Sequence, residues 1–184
     1  MNLHDCFTYD NGNLVWKARP RDHFRTHIGH RMFLGRDAGK IAGSTNNNGY
    51  VIVCMDYKMK GAHRIIWEMH NGPIPEGIDI DHINGIRSDN RIENLRLATR
   101  SQNIANKLVA KRSTSRLMGV THDNARNNWR AVINANGKYK TIGRYPTKGL
   151  AAVAYAKASI QVYGKFAGVL RKSNSCPADK WPTR

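Results

Sequence analysis

An Asp81-His82 pair, an asparagine twelve residues past the histidine (Asn94) and another nine further on (Asn103) are spaced for chemistry on a phosphodiester. Hydrolysing such a bond needs an activated water and cover for the charge that builds on phosphate and leaving oxygen. A hard divalent cation on oxygen ligands supplies the cover. Asp81 and Asn103 offer a carboxylate and an amide oxygen, with water and phosphate to complete an octahedron. His82 falls on the other side of an extended strand from Asp81 and can act as a general base near neutral pH. Asn94 can both donate and accept, and so can pin backbone around the histidine. Taken singly, each residue has a plainer reading: a surface or capping pair for Asp81-His82, a loop anchor for Asn94. The joint spacing is what favours a metal site.

The surrounding pattern supplies elements to hold them. Ile78 and Ile80, with Ile83 after them, alternate with polar residues and predict a half-buried strand ending near His82. Gly85, Ser88, Asp89 and Asn90 give turn chemistry before a second strand at Leu95-Arg96-Leu97. Thr99 and Gln102 form a capping-box pattern that opens a helix over roughly Arg100 to Leu108. Ile104 and Leu108 are expected on its inward face, and Asn103, Asn106 and Lys107 on another. A helix is also expected from Arg64 to His70, stopped at Asn71-Gly72-Pro73. His63, at its start, either assists at the phosphate or caps and packs.

On these residues the stretch from His63 to Asn106 resembles an HNH endonuclease of the phage and intron-encoded homing type, with its ββα-metal site. The phrases His63-Arg64-Ile65-Ile66-Trp67, Asp89-Asn90-Arg91 and Asn94-Leu95-Arg96 are also similar to that family. The resemblance implies Asp81 and Asn103 as metal ligands, His82 as general base and Asn94 as the residue that fixes the loop. It implies Mg2+, with Mn2+ as a substitute, and products carrying 5′-phosphate and 3′-hydroxyl.

Charge points to a polyanionic partner. The net charge of the 184-residue chain is +17 and its pI about 10.3. Through Asn94 there are 12 basic and 11 acidic residues; from Leu95 onward 18 basic residues face only Asp123 and Asp179. The carboxyl half is thus the expected DNA-holding half, and binding should weaken steeply with salt. With no long apolar run or basic amphipathic helix, a membrane surface is the poorer match.

A second unit is legible from Met118 to about Ala167. Gly119-Val120-Thr121 begins an extended run, Trp129 to Ala135 reads as a strand, Asn136-Gly137 as a hairpin turn, and Tyr139 to Arg144 returns. Pro146-Thr147 precedes a helix with Ala151, Ala154, Tyr155, Ala158 and Val162 on one stripe and a stop at Gly164. Through Gly119-Val120, Trp129, Ala131, Ile133, Gly143, Tyr145 and the Ala151-Ala152 to Tyr155 helix start, this segment resembles the DNA-binding domain of plant ethylene-response factors, the AP-two type. Such domains lay a sheet in the major groove. With Trp129, Ala131 and Ile133 toward the helix, Arg130, Val132 and Asn134 face out; an inward Ile142 leaves Tyr139 and Thr141 outward. Several base-reading Arg and Trp positions of the plant domains are replaced here, by Thr121, Asn134, Tyr139 and Thr141, so their target sequence does not carry over. Candidate DNA contacts are Arg112, Arg116, Arg126, Arg130, Asn134, Lys138, Tyr139, Lys140, Thr141 and Arg144. Lys138, Lys140 and Arg144 either touch phosphate or form a solvated basic face, and Trp129 is read as core.

The expected fold class is α+β: a small β-rich lobe (1–60), a ββα-metal nuclease unit (61–108), a basic linker (109–117), a three-stranded antiparallel sheet on one helix (118–168) and a tail (169–184). In the first lobe Tyr9-Asp10-Asn11-Gly12-Asn13 signals a hairpin and Gly49 to Met55 a strand. Arg19, Arg21, Arg25, Arg31 and Arg36 suggest a DNA-contacting loop. In the linker Lys111, Arg112 and Arg116 suggest a tether along the DNA backbone or minor groove, or else a helix extension without contact. Cys6, Cys54 and Cys176 lack paired spacing, so neither structural zinc nor a disulfide framework is expected. Without a signal peptide or membrane span, the reducing cytoplasm of the producing (host) cell is the expected compartment. The expected function is a metal-dependent endonuclease on double-stranded DNA, a site-specific nicking or cleaving enzyme of phage homing type. It is expected to need no obligate protein partner and to work as a monomer. The rival is a DNA-binding regulator or architectural protein with a silent nuclease unit; an RNA-directed role lacks the usual aromatic stacking motif.

Overall fold

The computed structural model describes residues 2–106, 115–135 and 137–170. Arg112 and most of the linker, along with Lys107, Leu108, Lys111, Asn136, Cys176 and the tail from 171, lie outside the described residues. The chain forms two compact units, Met1–Arg100 and Ser101–Arg184. Among the described residues no helix is long and apolar enough to cross a membrane.

The first unit opens with a helical turn α1 (Leu3–Cys6) and the hairpin β1 (Phe7–Asp10) and β2 (Asn13–Trp16). Its two-residue turn has φ +42° at Asn11 and +92° at Gly12, the left-handed pair that a tight hairpin matched to strand twist requires. Helix α2 (His27–Arg36) follows, with Thr26 Oγ1 accepting from Gly29 N at 3.0 Å. Then come the sheet β3 (Ser44–Thr45), β4 (Val51–Met55), β5 (Lys58–Gly61) and helix α3 (Ala62–Asn71). Ala62, Ile65 and Ile66 share the buried face of α3, the i, i+3, i+4 pattern, and Gly72 at φ +80° ends it. The antiparallel pair β6 (Ile78–His82) and β7 (Leu95–Thr99) completes the unit, with Asp81 opposite Arg96 and His82 opposite Leu95.

One core joins Cys6, Phe7, Leu14, Ala42, Val53, Ala62, Ile65, Ile66, Ile80 and Leu95. The segments that the sequence separates at residue 60 therefore share a core rather than having one each. The arginine-rich stretch is also not an open loop. Arg31 and Arg36 lie on α2, and Arg19 is 6% exposed, ion-paired with Asp56 at 3.1 Å and 4.9 Å from the Phe24 ring centre. An aromatic surround lets a guanidinium be buried where its charge alone would keep it in water. Ile83, expected inside, turns outward at 39% exposure because the strand ends at His82.

Helix α4 (Arg100–Ala105) begins at the last residue of the first unit and carries Asn103 in the second. Its burial reverses the expectation: Ile104 is 44% exposed, whereas Ala105 and Asn106 are buried. In the second unit β8 (Val120–Asp123), β9 (Asn128–Ala135) and β10 (Lys138–Tyr145) form an antiparallel sheet in the order β10-β9-β8. Helix α5 (Lys148–Tyr163), N-capped by Thr147, buries Ala151, Tyr155 and Ser159 at four-residue spacing. Its core is Val120, Ala131, Ile133, Ala151 and Tyr155, with Trp129, Ile142 and Ala158 packed on it. Val162 stays 47% exposed rather than joining the stripe. Gly119 sits at φ +64°, where a Cβ would run into the Tyr155 ring and the Val132 carbonyl oxygen.

Candidate active site

Strand β6 delivers Asp81 and His82 into the protein together, at 5% and 4% exposure. An unpaired carboxylate at that depth would be unstable as an anion. The cross-strand partner Arg96 removes the problem: its Nε and Nη2 both donate to Asp81 Oδ2, at 2.9 and 2.8 Å.

The twelve residues between β6 and β7 form a loop held from within. Asn94 closes it. Its Oδ1 accepts from Asn84 N at 3.0 Å, and its Nδ2 donates to Asn84 Oδ1 at 3.1 Å and to the Asp89 carbonyl at 2.7 Å. Ile83 N donates to the Asn94 carbonyl at 2.8 Å. Asn84 Nδ2 donates to Asp89 Oδ2 at 2.7 Å, and Arg91 forks onto the same carboxylate at 2.8 and 2.7 Å. Hydrogen bonding from Arg91 leads the effects that hold the Asp89 carboxyl down at about 2, so it stays ionised. This network carries Asn90, 2% exposed, to His82: its Oδ1 accepts from His82 Nε2 at 3.0 Å.

Two rings, His63 and Tyr50, line the histidine. His63, on the first turn of α3, has its ring centre 5.2 Å from His82 and 5.4 Å from Tyr50. Gly61 makes room for it, since a Cβ there would lie 2.9 Å from His63 Nδ1. Arg87 sits 5.0 Å from the Tyr50 ring centre and donates to the Asn48 carbonyl at 2.7 Å. Burial, then the His82 charge, pushes His63 down to about 4, so it is neutral at pH 7. Burial likewise lowers His82, against the opposing pull of Asn90 and Asp81. A histidine so placed holds a lone pair at neutral pH, the state a general base requires.

The structure thus brings Asp81, His82 and Asn94 together in one loop-and-hairpin unit. Asn103 is half-buried on α4 in the second unit. Sequence reasoning missed the roles of Asn90, Tyr50 and Arg96. The Asp89-Asn90-Arg91 phrase was the available signal, but eight residues through a turn say nothing of where an amide ends up.

The candidate DNA contacts divide by strand register. Arg130 opposite Arg144, Val132 opposite Thr141 and Asn134 opposite Tyr139 share the face away from the core, and Tyr139 is 81% exposed. Lys138 and Lys140 pair with Ala135 and Ile133, and so take the opposite face, because side chains alternate along a strand. They do not join Arg130 and Arg144 in one basic surface, although both are exposed. Arg126 and Arg144 are exposed and lie 3.4 and 3.5 Å from Asp123. Arg116 is exposed, with φ +53°.

Residues 60–105 match a protein family described as HNH endonuclease. The chain is 35% identical over 111 residues to Protein 3.8 of Escherichia phage T7, covering 60% of this chain and 91% of that one. It is 36% identical over 106 residues to an uncharacterized HNH endonuclease of Acanthamoeba polyphaga mimivirus, 57% of this chain and 54% of that one. An uncharacterized gene 5.3 protein of Enterobacteria phage T3 is 39% identical over 49 residues, 48% of its length. No solved structure matches.

Proposed function

The chain belongs to the HNH endonuclease family, and from that premise we propose that it is a metal-dependent, site-specific phage enzyme of homing type that hydrolyses one DNA strand per active site. The observation that carries this reading is the buried pair on β6: Asp81 held by Arg96 at 2.8 Å beside a His82 whose burial lowers its pKa.

The donor chemistry suits a hard cation. Asp81 gives a carboxylate already stripped of water, and Asn103, at the family's spacing from His82, gives an amide oxygen. These two residues would hold Mg2+ or Mn2+. A bound cation supplies positive charge against the phosphate and the departing oxygen. The protein's own part is proton handling and placement. His82 takes a proton from the water that attacks phosphorus; the P–O3′ bond breaks with its electron pair on O3′, which takes a proton from solvent, leaving 5′-phosphate and 3′-hydroxyl. Arg96 aims the Asp81 carboxylate through two hydrogen bonds, and Asn94 acts through the loop it closes rather than on the reacting atoms. In the second unit, Arg130, Asn134, Tyr139, Thr141 and Arg144 offer an exposed sheet face for duplex DNA in the manner of the ethylene-response-factor domains, and Lys138, Lys140 and Arg126 add general attraction to phosphate.

Supercoiled DNA incubated with Mg2+ or Mn2+, against an EDTA control, tests the reading. Nicked circles formed only with metal are the expected product. DNA bound with sequence preference but uncut in either metal would overturn it in favour of a DNA-binding regulator.

A further inference from the structure

Asn90 makes a poor bargain for a buried amide. Its Oδ1 meets His82 Nε2 at 3.0 Å, while its Nδ2 is buried without a hydrogen-bond partner among the described residues. Leaving a buried donor unmatched costs about 1–3 kcal/mol. A residue that served only to fill space would be apolar here, so the acceptor is what the position retains. An amide oxygen accepts and cannot donate, so the shared proton resides on Nε2 and the imidazole lone pair on Nδ1.

The segment that carries Asn90 is fixed from two sides. Within the loop, Asn94 Nδ2 holds the Asp89 carbonyl at 2.7 Å. From outside, the β1–β2 hairpin presses on it: Tyr9 Oη accepts from Ile92 N at 3.1 Å. At the hairpin tip Gly12 lies so close that a Cβ would stand 2.9 Å from Arg91 N and 3.3 Å from the Asn90 carbonyl carbon. With φ +92°, Gly12 could not be replaced without strain in any case.

We propose that Asn90 is a positioning residue for His82, braced from behind by the amino-terminal hairpin, which fixes the imidazole as the Nε2–H tautomer with Nδ1 as the basic nitrogen. This rests on the reading of His82 as the general base. It also makes the hairpin, outside the span that matches the family, part of the apparatus that orients the base.

The full chain, labelled with 15N-histidine and free of metal, tests it by NMR. The His82 ring signal is assigned by its absence in His82→Gln. The wild type should show a protonated Nε2 and an unprotonated Nδ1. Asn90→Leu should mix the tautomers and lower kcat on the order of 10–100-fold, the range for losing a group that orients an active-site side chain, with DNA affinity unchanged. Asn90→Asp keeps an acceptor and should restore the ring signature. Gly12→Ala should move the signal in the direction of Asn90→Leu. A wild-type ring with the proton on Nδ1 would overturn this proposal alone, and needs no variant to fold. An Asn90→Leu protein with the wild-type signature and rate would do the same. Full cleavage by His82→Gln would overturn the reading of His82 as base, and this proposal with it.

Discussion

The two units handle charge in opposite ways. In the first, 14 basic residues face 11 acidic ones, and arginines are tied up: Arg19 to Asp56, Arg91 to Asp89, Arg96 to Asp81. In the second, 16 basic residues face 2 acidic ones, and Asp123 is the carboxylate that Arg126 and Arg144 share among the described residues. In the first unit Asp81, His82, Asn90 and Asn94 are buried and hydrogen-bonded to neighbours; in the second Arg126, Arg130, Lys138, Lys140 and Arg144 are exposed. Fixed, desolvated groups suit bond breaking, which needs donors and acceptors set in place beforehand. An excess of exposed positive charge suits holding a polyanion, where much of the affinity comes from counterion release.

The largest expected departure comes from unsettling a buried pair. Asp81→Asn leaves the Arg96 guanidinium, 14% exposed, without its carboxylate, and breaking a buried ion pair from one side costs about 3–5 kcal/mol. Urea unfolding should show that loss, and metal-dependent cleavage should vanish. An Asp81→Asn protein of wild-type stability would mean that the first unit does not depend on matched buried charge.

A smaller effect is expected from pH. His63 falls from 6.5 in the unfolded chain to about 4 in the folded one, so the unfolded state takes up its proton first as pH drops. Its contribution is fully present above pH 6.5 and is lost between there and pH 4. At about 1.4 kcal/mol per pH unit, unfolding measurements near neutrality and near pH 4.5 should differ by roughly 2–3 kcal/mol from this residue. His63→Phe should flatten that slope. His82 is shifted in the same direction, so the acid limb of kcat/KM should lie below 6.5. A limb above that value would contradict the burial of the base.

The mildest changes belong to the second unit. Arg130→Gln should weaken binding evenly across DNA sequences and reduce the salt slope by about one. Lys140→Gln, on the other face by register, should do less, and neither should alter the rate at saturating enzyme. Gel-shift titrations over a salt series would sharpen the comparison. Equal losses from both substitutions would mean that general charge, not one sheet face, holds the DNA.

Local signals were readable and distant ones were not. Alternation at Ile78 and Ile80, the stop at Gly72, the Asn11-Gly12 turn and the alanine stripe of α5 all lie within a few residues of what they specify, and the elements formed there. The site's spacing was legible for the same reason. Arg19 reads as part of a DNA-contacting loop because its charge is visible in sequence and its aromatic surround is not. The short α4 exchanged Ile104 for Asn106 because two turns give periodicity little to act on. In the sequence Asn90 shows only turn chemistry, since the contact with His82 depends on a loop closed by Asn94 and braced by Tyr9, 83 residues before its partner Ile92.

The most direct test of the central claim is single-turnover cleavage by His82→Ala beside the wild type, with DNA affinity measured on the same preparations. The account predicts a rate lower by about 10²–10⁴, the worth of a general base, with affinity preserved by the untouched second unit. Cleavage by His82→Ala at the wild-type rate would contradict it.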